Sequence, residues 1–187
     1  YPQIYAENIW PGAHAGFDPQ AFQSRYTQMG VELQTAAEGL LRAAAVGLGL
    51  PDEVFVELAQ GGPHVTRLLH YLPLGADQVN TGILWGEEHT DFNLITILPG
   101  GRFYDADRKS CPRPDDSSGL YLRTRPTESE PLGDLVRGVA PAGCITAQVG
   151  QQLEILTGGA MLATPHVVTA PGVPGFSRAS AAHFTHA

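Results

Sequence analysis

Three short stretches of the sequence carry side chains suited to binding a metal ion and an anion. His89 and Asp91 flank Thr90, so an imidazole and a carboxylate lie two positions apart. Residues i and i+2 of a strand point to the same face. The spacing therefore predicts that both side chains enter one site, at the entry to a strand that runs from Phe92 to Leu98. A surface histidine beside a solvated aspartate is the alternative interpretation of this pair.

The second stretch contains His166, which heads the β-branched run Val167-Val168-Thr169. Taken alone, it could be a core histidine with a satisfied N–H group. Two histidines and one carboxylate together, however, form the ligand set that holds non-haem Fe(II) and leaves open coordination positions. His89, Asp91 and His166 are therefore predicted as catalytic metal ligands.

The third stretch is Arg178-Ala179-Ser180, which lies twelve residues after His166. Its guanidinium and hydroxyl groups share one face of a predicted strand. A buried arginine is costly without a partner, and its planar fork suits a carboxylate bound through two hydrogen bonds. Arg178 and Ser180 are therefore predicted to bind an anion. Arg108 and Ser110 show the same spacing in a polar segment, where we interpret it as accidental.

Composition limits the kind of ligand. The chain has 187 residues, of which 43% are hydrophobic and 16% charged, and this is typical of a folded domain. A net charge of −8 argues against nucleic acid and anionic membranes as partners. No apolar run approaches the roughly 18 residues that a membrane span needs. We therefore expect a small-molecule substrate, while the oligomeric state cannot be inferred.

Two cysteines, Cys111 and Cys144, are too few for a disulfide framework. Free thiols and a cytoplasmic location are the expectation, and no targeting segment is visible. The chain begins with Tyr1 and not with Met, so we expect that the natural protein has further sequence before Tyr1.

The elements that must position these side chains follow from periodicity and turn residues. Asp18-Pro19 starts a helix, which continues for about eight turns along one apolar stripe and ends at Gly47-Leu48-Gly49. A second helix runs from Pro51 to about Ala59. Seven strands are predicted: Val65 to Tyr71, Phe92 to Leu98, Gly119 to Thr124, Cys144 to Val149, Leu153 to Leu156, Pro165 to Thr169 and Arg178 to Thr185. The polar insert from Arg102 to Ser118 is predicted to be an irregular surface segment or lid.

These residues resemble the Fe(II)- and 2-oxoglutarate-dependent oxygenases, and in particular their isopenicillin N synthase-like branch. The match to the branch rests on the following segments: Arg67-Leu68-Leu69-His70-Tyr71-Leu72-Pro73, the run from His89 to Leu98, Gly119-Leu120-Tyr121-Leu122, the run from Leu153 to Gly159, and Ala163-Thr164-Pro165-His166. The order His-x-Asp, distal His, Arg-x-Ser is also that of the superfamily. The resemblance covers nearly the whole chain.

The resemblance implies a mainly β fold with helices, in which a double-stranded β-helix (jelly-roll) core is flanked by a long N-terminal helix. Residues 1–60 would be a lead-in and helical support region and residues 61–187 the catalytic core, within one structural domain. The implied cofactors are Fe(II), 2-oxoglutarate as co-substrate and O₂, with ascorbate as a candidate reductant. Arg178, Ser180 and Tyr71 would bind 2-oxoglutarate. The implied activity is that of a non-haem iron dioxygenase (an oxidoreductase), which oxidises, most often hydroxylates, a C–H bond and releases succinate and CO₂.

Some positions depart from the family pattern. Tyr121 replaces a usual Gln, Gln151 a usual Asp and Val167 a frequent Arg, but none of these is a ligand position. The presence of Asp91 argues against halogenation, since related halogenases lack this carboxylate. Two alternatives stay open: an iron-dependent oxidase of the same fold that does not use 2-oxoglutarate, with Arg178 and Ser180 on a substrate carboxylate, and a catalytically inactive binding protein.

Overall fold

The computed structural model of the chain describes residues 7–187, and residues 1–6 of the predicted lead-in lie outside them. The helices are α1 (Pro19–Gly47), α2 (Val54–Ala59) and α3 (Gln151–Leu156). The strands are β1 (Val65–Tyr71), β2 (Leu84–His89), β3 (Ile95–Leu98), β4 (Gly101–Tyr104), β5 (Ser110–Cys111), β6 (Gly119–Arg123), β7 (Leu135–Arg137), β8 (Thr146–Val149), β9 (His166–Thr169) and β10 (Ser177–Thr185).

Two antiparallel sheets form the core of the fold, which is the predicted double-stranded β-helix. The larger sheet has the order β5-β4-β10-β3-β8, and β1 pairs with the free side of β10. The smaller sheet has the order β2-β9-β6-β7. The nine-residue strand β10 organises the larger sheet, because its first half pairs with β4, its second half pairs with β3, and β1 pairs along most of its length.

The long helix α1 begins as predicted. The Asp18 carboxylate accepts hydrogen bonds from the backbone N–H groups of Gln20 and Ala21, each 3.0 Å long, and Pro19 occupies the first helical position. One stripe of the helix is buried: Leu33, Ala37, Leu41 and Ala45. This stripe packs on the outer face of the larger sheet, where Ile95 and Ile97 belong to the same apolar cluster. The helix therefore covers one face of the larger sheet and leaves the opposite face of that sheet free.

The second helix, α2, begins at Val54, after a turn at Asp52-Glu53, and not at Pro51. Neither α1 nor any other helix within residues 7–187 is long and apolar enough to cross a membrane. The proposed boundary between a support region and a core at residue 60 stays a prediction.

Two strand predictions are wrong, and a strand beside the site was missed. Residues 153–156 lie in helix α3 and not in a strand, because Gln151, Gln152 and Glu154 favour a helical turn that buries Leu153 alone. The second predicted strand begins at Ile95 instead of Phe92. Strand β2, which ends at His89, was not predicted, since its burial does not alternate along Leu84–His89.

The insert from Arg102 to Ser118 is also not irregular throughout. Its first residues form β4, whose Phe103 is buried and pairs with Arg178 of β10, and Ser110–Cys111 forms β5. The strand could not be predicted from its polar local sequence, because the strand that pairs with it lies about 75 residues further along the chain. No lid is evident in the described residues of this segment.

Candidate active site

The two sheets face each other across a cavity of about 1040 Å³. Every site residue that the sequence predicted lines this cavity: His89, Asp91, His166, Tyr71, Arg178 and Ser180. The cavity therefore brings together segments that are far apart in the chain.

The two histidines come from neighbouring strands. His89 ends β2, His166 begins β9, and the two are paired in register with their ring centroids 4.3 Å apart. Asp91 follows in the turn after β2, so the expectation that His89 and Asp91 share one strand face is wrong. The turn is held instead by Gln151, whose backbone N–H donates to the Asp91 carbonyl over 2.8 Å and whose side chain donates to Thr90 Oγ1 over 2.6 Å.

Three atoms converge in this corner of the cavity. Oδ1 of Asp91 lies 3.7 Å from Nε2 of His89 and 3.9 Å from Nε2 of His166. One ligand atom of each residue lies within 4.8 Å of the others. Two atoms that each sit about 2.1 Å from one ion cannot be more than about 4.2 Å apart, and both carboxylate–imidazole distances meet that limit.

Hydrogen bonds behind these residues orient the ligand atoms. Nδ1 of His89 lies 2.6 Å from the Glu87 carbonyl oxygen, and Nδ1 of His166 lies 3.0 Å from that of Thr164. A carbonyl only accepts, so Nδ1 is the donor in each ring and Nε2 is the nitrogen that faces a metal. Two imidazoles and one carboxylate, all on one side, are the donor set of a non-haem Fe(II) centre, and the residues present fit that ion.

The predicted anion site lies in the same cavity. Arg178 is flanked by Tyr71 of β1 and Phe103 of β4, and its guanidinium carbon lies 5.5 Å from the Tyr71 ring centre. Its Nη1 lies 3.4 Å from Oγ of Ser180. Burial lowers the pKa of Arg178 from its ordinary value, and no carboxylate within residues 7–187 pairs with it. The cavity thus presents a desolvated cation that an anionic ligand would stabilise.

Gly101 makes room for this guanidinium. A Cβ at residue 101 would lie 2.8 Å from Nη2 and 3.0 Å from Cζ of Arg178. The flat guanidinium therefore lies against a bare backbone, and a side chain at position 101 would displace it.

The sequence has curated relatives among 2-oxoglutarate-dependent enzymes, although no protein-family model matches it. The 2-oxoglutarate-dependent ethylene/succinate-forming enzyme of Ralstonia nicotianae is 29% identical in an alignment 177 residues long, and the match covers 85% of this chain and 44% of that protein. The 2-oxoglutarate-dependent dioxygenase ecdK of Aspergillus rugulosus is 27% identical in an alignment 168 residues long, and the match covers 88% of this chain and 44% of that protein.

Solved structures agree with the sequence relatives. A C-terminally truncated Neurospora crassa protein in its apo form superimposes with a TM-score of 0.68 at 25% identity, over 96% of this chain and 57% of that one. A Caulobacter crescentus protein assigned to the 2OG-Fe(II) oxygenase family gives a TM-score of 0.66 at 25% identity, over 95% of this chain and 55% of that one. Over most of its length the chain is therefore similar to 2-oxoglutarate-dependent oxygenases, in sequence and in fold. It spans about half the length of the curated relatives it matches.

Aromatic side chains complete the cavity of this oxygenase-like fold. Trp85 and Phe103 both line it, and Trp85 stacks on Tyr71 with ring centroids 5.4 Å apart. Phe184 lines it as well. His183, one residue before Phe184, faces the opposite side of β10, where Gln34 of α1 accepts from its Nε2 over 2.9 Å.

Two arginines near the smaller sheet contact neighbouring protein groups. Arg123 forms an ion pair with Glu88, and Arg125 donates to the carbonyls of Leu162 and Ala163. These contacts are those of ordinary surface arginines.

Sequence reasoning missed Thr96, Gly101 and Gln148. Thr96 donates to Asp91, and Gln148 pairs with Thr96 on the next strand. The Gln148 amide is buried in the cavity wall, and neither its nitrogen nor its oxygen has a hydrogen-bond partner among the described residues. Buried amides are nearly always hydrogen-bonded, so a ligand or water in the cavity would complete this group. No local sequence signal marks any of these positions.

Proposed function

We propose that this chain holds the catalytic core of an Fe(II)- and 2-oxoglutarate-dependent oxygenase that oxidises a C–H bond of a small molecule. The observation that carries the proposal is the convergence of Nε2 of His89, Nε2 of His166 and Oδ1 of Asp91 in the cavity that also holds Arg178. Hydroxylation is the favoured outcome. The isopenicillin N synthase-like branch stays a prediction.

His89, Asp91 and His166 would hold the iron. When bound, iron together with 2-oxoglutarate and O₂ supplies the oxidising chemistry, with release of succinate and CO₂. The protein's part is to fix the three donors before the metal arrives: two carbonyls hold the imidazoles in one tautomer, and Thr96 holds the carboxylate. Such preorganised donors raise metal affinity without movement of the backbone.

Arg178, Ser180 and Tyr71 would bind the far carboxylate of 2-oxoglutarate. The guanidinium offers parallel N–H donors, and the hydroxyl of Ser180 extends the same polar patch. Tyr71 and Trp85 form an aromatic wall beside it, and an ion pair is stronger beside apolar groups than in open water.

A small-molecule substrate fits the relatives. The solved structures include the full-length form of the same Neurospora crassa protein in complex with thymine and with 5-formyluracil, and one curated relative is named a proline hydroxylase. The volume of the present cavity, about 1040 Å³, is slightly above the roughly 300–1,000 Å³ typical of small-molecule sites. It has room for a second ligand beside the co-substrate. Location in the cytoplasm stays a prediction.

The test measures succinate. The iron-loaded protein should convert 2-oxoglutarate to succinate, slowly even without substrate, and only when both iron and 2-oxoglutarate are present. His166→Ala should abolish this conversion, whereas His70→Ala, at an exposed position on the outer face of β1, should not. A full rate in His166→Ala would overturn the proposal. If 2-oxoglutarate fails to bind the iron-loaded protein, the alternative is an oxidase in which Arg178 and Ser180 bind a substrate carboxylate.

A further inference from the structure

We propose that the substrate of this cavity is a small organic acid with an apolar body, and that Arg67 binds its carboxylate. The inference rests on the proposed function, which assigns Arg178 to 2-oxoglutarate. It concerns a second, separate cation in the same cavity.

Charge is distributed unevenly in this protein. The chain as a whole carries a net charge of −8. Among residues 7–187, in contrast, the cavity wall contains five of the ten arginines and a single carboxylate, that of Asp91. The arginines are Arg67, Arg102, Arg113, Arg137 and Arg178. A cleft of one sign of charge attracts ligands of the opposite sign, even when the molecule as a whole repels them.

Binding of iron and 2-oxoglutarate does not neutralise all of this positive charge. A divalent ion on Asp91 leaves one positive charge, Arg178 adds another, and the two carboxylates of 2-oxoglutarate cancel both. Arg113 is neutralised by Asp116, whose Oδ1 lies 2.6 Å from Nη2 of the arginine. Three arginines of the wall then remain without a described carboxylate partner: Arg67, Arg102 and Arg137.

Of these three arginines, Arg67 is the one whose place in its strand best suits it to bind a ligand in the cavity. It lies on the cavity face of β1, in phase with Leu69 and Tyr71, which also line the cavity. Arg102 lies out of phase with Gly101 and Phe103, the two residues of β4 next to Arg178. Arg137 lies on the edge strand β7.

The surroundings of Arg67 suit a ligand group. Its guanidinium carbon lies 5.5 Å from the ring centre of Phe184, a cavity residue, and the side chain is exposed. Arg67 is four residues from Tyr71, which pairs with Arg178, and this separates the two positions by roughly 13 Å along the strand. Two anions can therefore be bound at the same time. Phe184 and Leu98 supply apolar wall for the body of the acid.

The test compares acids with their neutral amides. Phenylacetate and phenylacetamide, and the naphthyl pair of the same type, are titrated by calorimetry into the anaerobic iron-loaded protein at saturating 2-oxoglutarate. We expect each acid to bind at least about tenfold more tightly than its amide, as a charge-assisted contact should provide. Arg67→Gln should remove this preference, and Arg67→Lys should retain part of it.

Arg25→Gln is the matched control, since it removes the same charge from an exposed position on α1, outside the cavity. It should leave the preference unchanged. Equal binding of acid and amide, a preference that survives in Arg67→Gln, or no binding of any acid would overturn the proposal. Binding of iron and 2-oxoglutarate is measured first in each variant, so a failure of the proposed function is seen separately. If 2-oxoglutarate does not bind, the acids are titrated into Arg178→Gln, where the other anion position is absent.

Discussion

Thr96 donates a hydrogen bond of 2.7 Å from its Oγ1 to Oδ2 of Asp91. The other carboxylate oxygen, Oδ1, is the one that faces the two imidazoles. Thr96 is buried in β3 and also accepts a hydrogen bond from Asn93. The strand behind the cavity thus decides which oxygen of Asp91 is presented to a metal ion.

Replacement of Thr96 by Val keeps the shape of the side chain and removes the hydroxyl. Because Asp91 loses the group that orients it, we expect metal affinity to fall by about 10–100-fold, the usual effect of removing such a supporting contact. Calorimetric titration with Fe(II) under anaerobic conditions measures this. Thr96→Ser keeps the hydroxyl and should bind iron nearly as well as the wild type; equal affinity in Thr96→Val would show that Asp91 needs no support.

Gly101→Ala should weaken 2-oxoglutarate binding without unfolding the protein. The new Cβ would meet the guanidinium of Arg178 at 2.8–3.0 Å, and the end of a long side chain can move aside. We expect the affinity for 2-oxoglutarate to fall by at least about tenfold, since the bidentate geometry is lost. The thermal midpoint and Fe(II) affinity should stay close to those of the wild type.

Gly86→Ala is the control for that substitution. It also lies in the cavity wall, but its Cβ would meet Val168 at 3.5 Å, an ordinary contact distance. It should bind 2-oxoglutarate normally. If Gly101→Ala binds 2-oxoglutarate as tightly as Gly86→Ala does, the position of the guanidinium is not what determines affinity.

The sequence identified the chemistry better than it identified the strands. His89, Asp91, His166, Arg178 and Ser180 could be found because their side-chain types and order are themselves the signal. All five line one cavity, although the stated reason for pairing His89 with Asp91 was wrong, since a turn and not a strand brings them together.

What could not be predicted depends on distant partners. Arg102, Phe103 and Tyr104 form a strand because the first half of β10 offers them an edge to pair with. Gly101 matters because Arg178 lies over it in the folded state. Neither fact leaves a periodicity in the local sequence, so tertiary pairing overrides local propensity here.

His183 should make the stability of the fold depend on pH. Burial, and repulsion from His64 and His186, lower its pKa from 6.5 to about 4. Between these values the unfolded chain binds a proton that the folded chain does not. Stability therefore falls as the pH falls from 6.5 to 4, by up to about 3 kcal/mol from this group, and no further below that range.

Urea denaturation at several pH values from 7 to 4 tests this prediction. His183→Gln should flatten the dependence, because Gln does not titrate. His70→Gln, which changes an exposed histidine on the same sheet, should keep the wild-type slope. If stability depends on pH equally steeply in the two variants, groups other than His183 cause the effect. Part of the pH dependence should remain in His183→Gln, since burial also lowers the pKa of His64 and His186.

Gly150→Ala should damage both the fold and the metal centre. Its Cβ would overlap the carbonyl oxygen of Asn93 and lie 2.9 Å from Oδ1 of the same residue. Backbone cannot move aside as a side-chain end can, so the substitution must shift the turn that carries Asp91. We expect a loss of about 1–3 kcal/mol in the free energy of unfolding, typical of overpacking, together with weaker Fe(II) binding.

Gly39→Ala in α1, where a Cβ meets nothing within 4 Å, should instead stabilise the protein by up to about 1 kcal/mol. Wild-type stability and iron affinity in Gly150→Ala would contradict the proposed coupling between this turn and the metal ligands.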